Sequence, residues 1–120
     1  MNIVILTGFL GANPEVKQLD SGATVCNMSL ATNQHWTDKD GEKKQRTDWH
    51  RIVCFGSLGE TCAKYLAKGA QVAVRGELRS NTWEDDAGKT QRSVEILAKS
   101  VDFLDRKPEN AAKKIEDILF

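Results

Sequence analysis

The sequence predicts an all-β domain: a five-stranded barrel, one helix between its third and fourth strands, and a short C-terminal helix appended. Three observations carry this. Five stretches combine β-branched and aromatic residues and end at turn residues. One internal stretch, residues 57–69, has helical periodicity, and it falls after the third strand. With 120 residues the chain holds one domain with a modest core.

Residues 2–10 form the first strand, apolar on both faces. Ile3, Ile5 and Phe9 lie on one side, and Val4, Leu6 and Leu10 on the other. One face packs the core; the other either sits under a helix or meets a second subunit. Residues 11–14 break the strand, and residues 15–19 resume it up to an Asp20-Ser21-Gly22 turn. The second strand, residues 23–33, buries Cys26, Met28 and Leu30. Its wetter face carries Asn27, Ser29 and Ala31, small enough for a ligand to approach the backbone. Residues 34–46 read as a polar, charged hairpin loop with its turn at Asp40-Gly41. Trp36 opens that loop with Lys39, Lys43, Lys44 and Arg46 near it and no apolar neighbour to bury it.

The third strand, residues 47–56, organises the chain. Alternation puts Trp49, Arg51, Val53 and Phe55 on one face and His50, Ile52 and Cys54 on the other. A cation between two aromatic rings suits stacking on bases beside a phosphate; the same rings on the same strand also read as core. In the helix of residues 57–69, Ser57 and Glu60 have capping-box spacing and Gly69 closes the end. Leu58, Cys62, Tyr65 and Leu66 share its apolar face. The fourth strand, residues 70–83, buries Val72, Val74 and Leu78, and its other face alternates Arg75, Glu77, Arg79, Asn81 and Trp83. A turn at residues 85–88 leads to the fifth strand, residues 91–103, with Val94 and Ile96 on one face. No internal repeat stands out. Three strands, a helix and two strands is the element order of the OB-fold barrel, in which the helix plugs the barrel.

Composition narrows the function classes. The formal net charge is zero, so any nucleic-acid binding rests on local placement of cations. No apolar run reaches membrane-spanning length and no charged, cleavable leader opens the chain, so a cytoplasmic, membrane-free protein is expected. Cys26, Cys54 and Cys62 lack any framework spacing and read as buried free thiols. His50, Cys54 and Cys62 include no paired Cys-x-x-Cys, so no metal or other cofactor is expected. The carboxylates Asp38, Asp40, Glu84, Asp85 and Asp86 sit beside turn glycines and read as solvated turn residues. With no phosphate-cradling loop and no nucleophile–base pairing, the chain is not expected to be an enzyme.

Over residues 2–104 the sequence resembles the bacterial single-stranded DNA-binding protein family. The resemblance lies in residues 2–11, Pro-Glu-Val-Lys at 14–17, Leu-Ala-Thr at 30–32, and Trp36. It continues through residues 47–56 with their Trp-His-Arg run, Tyr-Leu-Ala-Lys-Gly at 65–69, Val-Arg-Gly-Glu-Leu-Arg at 74–79, and Trp83. It implies an OB-fold domain over residues 1–104 and a homotetramer that binds single-stranded DNA without sequence preference. Such proteins protect exposed template in replication, recombination and repair. On this match Trp36, Trp49, Phe55 and Trp83 resemble the base-stacking aromatics, and Lys17, Arg51, Lys68 and Arg79 the basic positions facing the strand. His50 resembles a subunit-interface histidine, alongside the two-faced first strand with Ile3 and Ile5.

The departures are informative. Ile3, Ser57, Asn81 and Thr82 stand where family members often carry basic residues, so fewer phosphate contacts are expected. Residues 105–120 contain none of the family's usual Gly-, Pro- and Gln-rich linker. Pro108 suits a helix start, with Ala111, Ile115, Ile118 and Leu119 as an apolar stripe. Asp117, Ile118, Leu119 and Phe120 echo an acidic–hydrophobic tip that recruits replication or repair proteins; the alternative is a helix that caps the fold. A rival reading of the whole chain is an OB-fold primosome or RNA-binding component. Preference between single-stranded DNA and RNA discriminates the two.

Overall fold

Strand pairing closes a barrel in the computed structural model, which describes residues 1–104. The elements are β1 (Val4–Leu10), β2 (Glu15–Gln18), β3 (Thr24–Thr37), β4 (Lys43–Phe55), α1 (Gly56–Tyr65), β5 (Gln71–Glu84) and β6 (Thr90–Phe103). The sheet runs β1-β5-β6-β4-β3-β2, and β1 also pairs with β3. That second pairing closes five strands on themselves, with β2 a short addition along β3. The expected five-stranded barrel with its single helix between the third and fourth main strands is thus what the chain forms. Closure is narrow at two places: Phe9 and Leu10 meet Ala31 and Leu30, and parallel β4 and β6 meet only at Ile52↔Ile96 and Val53↔Leu97. β1 crosses β3 so closely that a Cβ on Gly8 would stand 2.1 Å from the Ala31 carbonyl oxygen.

The core follows the period-2 pattern. Leu10, Met28, Leu30, Ile52, Val72, Val74 and Ile96 turn inward from five strands, and Cys62 and Leu66 close one end from α1. Leu30, Ile52, Val72 and Val74 are fully buried, so truncating Ile52 to Ala costs about 2–5 kcal/mol.

Several expectations are corrected. The polar stretch 34–46 is strand except at residues 38–42, because β3 and β4 stay paired from Val25↔Phe55 out to Thr37↔Lys43. Strand chemistry is invisible there because both faces are solvated; the backbone ladder and a few exposed side-chain bonds, such as Thr47 to Asn33 at 2.7 Å, hold the arm. Ser57 does not cap α1: the N-cap is Phe55, with no side-chain cap bond. Glu60 instead accepts a hydrogen bond from Thr24 Oγ1 across to β3 at 3.3 Å. The helix stops at Tyr65, which is exposed, and Gly69 lies in the return turn. Leu78 is exposed rather than core, although it faces the buried Ile96 across β5–β6, and Ala31 is buried where β1 crosses it. The expected C-terminal helix and tip, including Asp117, Ile118, Leu119 and Phe120, lie outside the described residues.

Candidate nucleic-acid interface

The two readings of the third strand part here. Ile52 and Cys54 are fully buried, while Trp49 is 61% exposed and Phe55 46%. Trp49 and Phe55 are surface rings, with the exposed Arg51 between them. Val53, expected on the same face, is buried where β4 meets Leu97 of β6. The register sets Ala31 opposite Trp49 and Ser29 opposite Arg51, so the small side chains of β3 flank the large ones of β4. A groove of about 400 Å³ opens there, lined among others by Ala12, Asn13, Ser29, Trp49 and Arg51. Its width comes from residues that leave the backbone accessible.

Gly11 is part of this site and carries no signal in a single sequence, where Gly-Ala-Asn-Pro reads only as a strand break. The Trp49 ring lies directly over it, leaving no room for a Cβ. Asn13 was also missed: its Oδ1 accepts the Lys68 backbone N–H at 2.8 Å, tying the turn after α1 to the loop beside the groove.

Trp36 and Trp83 stand on the two hairpin arms, 45% and 50% exposed. Trp36 faces Lys44 across β3–β4, and Trp83 faces Gln91 across β5–β6. The turn carboxylates are less solvated than their sequence context suggests. Asp38 Oδ1 accepts the backbone N–H groups of Asp40 and Glu42 at 3.0 and 2.9 Å. Asp85 does the same with Ala87 and Lys89. The Lys89 N–H, then the Gln91 side chain, hold the Asp85 carboxyl below its ordinary range.

The expected basic residues differ in their freedom. Arg79 is paired with Glu77 at 3.2 Å, and Glu77 also draws Lys99 to 4.0 Å. Among the described residues, no ion pair engages Lys17, Arg51 or Lys68. Acidic partners also occupy Lys44 (Asp38 and Glu42) and Arg46 (Asp48), which explains how a chain with zero net charge distributes its cations.

Of the expected interface residues, Ile3 and Ile5 are exposed on the outer side of the barrel, Ile5 at 68%. His50 lies on β4, half-buried, its Nε2 2.8 Å from Thr32 Oγ1, which fixes the ring's orientation. Among the described residues, no cluster of three or more His, Cys, Asp or Glu side chains is placed to hold a metal ion. No helix among them is long and apolar enough to cross a membrane.

Comparison with known proteins bears on the fold and the family. The family model described as the single-strand binding protein family matches residues 1–104. Among solved structures, the Plasmodium falciparum SSB in its complex with ssDNA superposes with a TM-score of 0.81 at 36% identity, covering 88% of this chain and 96% of that one. A deletion mutant of the single-stranded DNA binding protein from Thermus aquaticus gives a TM-score of 0.78 at 29% identity, covering 89% of this chain and 52% of that one. The chain thus matches about half of the Thermus protein's length.

Proposed function

The chain belongs to the single-strand binding protein family, and we propose that it binds single-stranded DNA by stacking, without reading sequence, and shields exposed template in replication, recombination and repair. The observation that carries this is the exposure of Trp49 and Phe55 on either side of Arg51, beside a groove lined in part by the small Ala12 and Ser29. Every base has a π-face, so an aromatic platform accepts any sequence and contributes about 1–3 kcal/mol per base. Trp36 and Trp83 extend the platform along the arms. Lys17, Arg51, Lys68 and Arg79 neutralise phosphates, and counterion release makes affinity fall as salt rises. The action is binding, with no covalent chemistry.

The assembly is a homotetramer in the cytoplasm. The exposed apolar face at Ile3 and Ile5 supplies a surface that a lone subunit leaves in water, and His50 belongs to the same contacts. Residues 117–120 recruit replication or repair proteins. Ile5→Arg is expected to yield smaller species in sedimentation velocity.

Titration of tryptophan fluorescence with oligo-dT of several lengths, at low and high salt, tests the central reading. Strong quenching by single strand, weakened by salt and absent with duplex, is expected. Unchanged fluorescence, or a preference for structured RNA, would overturn it.

A further inference from the structure

The two hairpin arms end in the same short motif, which becomes evident once their turns are compared. Trp36-Thr37-Asp38-Lys39-Asp40-Gly41 and Trp83-Glu84-Asp85-Asp86-Ala87-Gly88 both read Trp-x-Asp-x-x-Gly. Their backbones coincide closely. Asp38 N–H donates to the Glu42 carbonyl at 2.9 Å and Gly41 N–H to the Asp38 carbonyl at 3.1 Å; the bonds from Asp85 to Lys89 and from Gly88 to Asp85 measure 2.9 and 3.0 Å. Each glycine takes the left-handed conformation such a turn needs, at φ 80° and 79°.

Each carboxylate does two further things. Its Oδ1 takes two loop N–H groups, as described above. Its Oδ2 turns toward the residue that faces the tryptophan: Gln91 Nε2 at 2.9 Å from Asp85, and Lys44 Nζ at 3.8 Å from Asp38, where Glu42 holds the same ammonium closer, at 3.1 Å. Lys44 and Gln91 are the cross-strand partners of Trp36 and Trp83. Directly paired residues, and residues two apart, share a face, so indole, carboxylate and partner stand together on each arm.

A third turn in the same barrel supplies the control. Between β2 and β3, Leu19 N–H donates to the Ala23 carbonyl and Gly22 N–H to the Leu19 carbonyl, both at 2.8 Å, with Gly22 at φ 87°. The offsets are those of the two arms, but Leu19 stands where they have aspartate, and Lys17 where they have tryptophan. The turn therefore closes without a carboxylate. Among these three turns, the aspartates occur only where a tryptophan stands two residues earlier. On a surface proposed to meet phosphates, an acid is unfavourable unless it has another task.

We propose that Asp38 and Asp85 are positioning residues for single-stranded DNA, each fixing its hairpin tip and the partner facing the indole so that Trp36 and Trp83 present ordered rings to the bases. The inference rests on the DNA-binding reading above. The arms need such a device because the outer parts of β3 and β5 are exposed on both faces and no core holds them. A ring ordered before binding loses less freedom when a base stacks on it.

The test uses the full chain with Asp38→Ala and Asp85→Ala, singly and together, and with the matching Asn variants, which keep an oxygen acceptor for the loop N–H groups. Three quantities are read: oligo-dT affinity, thermal melting, and the decay of tryptophan anisotropy in the free protein. Each Ala change is expected to weaken oligo-dT binding about three- to tenfold, to enlarge the fast anisotropy component, and to leave the melting temperature nearly unchanged. The Asn variants are expected to recover most of the loss. Ala variants with wild-type affinity and anisotropy would overturn the proposal, as would binding lost only in step with melting temperature. Asn variants no better than Ala would overturn the hydrogen-bonding basis. Wild-type protein that ignores oligo-dT would instead remove the DNA-binding reading, while the anisotropy comparison still judges whether the aspartates order the indoles.

Discussion

The Trp49 ring lies so close to Gly11 that a Cβ there would stand 2.3 Å from Cζ3 and 2.6 Å from Cη2. A ring that is 61% exposed needs such a floor, because little else restricts its rotamer. Gly11→Ala is expected to push the indole off its seat. Because an exposed ring can swing away, the stability cost should be modest, about 1 kcal/mol or less. The proposed stacking surface loses its alignment, so oligo-dT affinity should fall several-fold while the melting temperature moves by only a few degrees. Wild-type affinity in the variant would show that Trp49 needs no floor.

Glu77 holds Arg79 at 3.2 Å and draws Lys99 to 4.0 Å, both in solvent where such pairs contribute little to stability. A phosphate competing for Arg79 must first displace the carboxylate. Glu77→Gln is therefore expected to raise oligo-dT affinity about two- to threefold at low salt. The plot of log affinity against log salt should steepen by up to about 0.7 for each phosphate gained. Equal slopes for variant and wild type would mean Arg79 does not face the strand.

The barrel was legible because alternating burial leaves a period-2 trace in sequence: Cys26, Met28 and Leu30, or Val72 and Val74, point inward as their spacing requires. The β5–β6 arm was legible too, its strands and the turn at residues 85–88 standing where the sequence puts them, but the β3–β4 arm was not, because residues 34–46 are polar on both faces and look like loop. The capping box failed for a nonlocal reason, as Glu60 is engaged by Thr24 of another strand. Leu78 illustrates the same limit: its side-chain type says core, but it stands exposed although its cross-strand partner Ile96 is buried. For the candidate site, spacing put Trp49, Arg51 and Phe55 on one face but could not say whether that face was covered. Gly11 matters only through a side chain far away in sequence.

Asp85 is half-buried, and its carboxyl is held below the ordinary range first by the Lys89 N–H and then by Gln91 and Ala87. A carboxylate with a lowered folded-state pKa stabilises the fold above its unfolded value. The contribution is lost as pH falls through the lower, folded value. The amide chemical shifts of Ala87 and Lys89 should therefore titrate with a midpoint below the ordinary carboxylate range. Asp85→Asn should abolish that titration. A midpoint within or above that range would mean the turn bonds do not persist in solution.

Two of the three buried thiols, Cys26 and Cys54, give the opposite pH dependence. Cys26 and Cys54 face each other across β3 and β4, and Cys62 meets them from α1, all fully buried. Cys54 donates its hydrogen to Cys62, which together with burial holds the Cys54 thiol well up; burial, then the neighbouring Cys62, raises Cys26. That same bond favours negative charge on Cys62, but burial opposes a thiolate there as well. At Cys62 the accepted hydrogen bond outweighs burial and holds its thiol down, while Cys26 and Cys54 are held up. Unfolded thiols ionise near 9.0 while Cys26 and Cys54 stay protonated in the fold, so their contribution is complete below that pH and lost as pH rises above it. Urea midpoints should fall between about pH 8 and pH 10. Cys54→Ala should show a shallower fall from a starting stability lower by about 1–2 kcal/mol. Thiol reagents should modify the native protein only at the rate at which it opens. Rapid labelling at neutral pH, or a urea midpoint indifferent to pH, would contradict a closed thiol cluster.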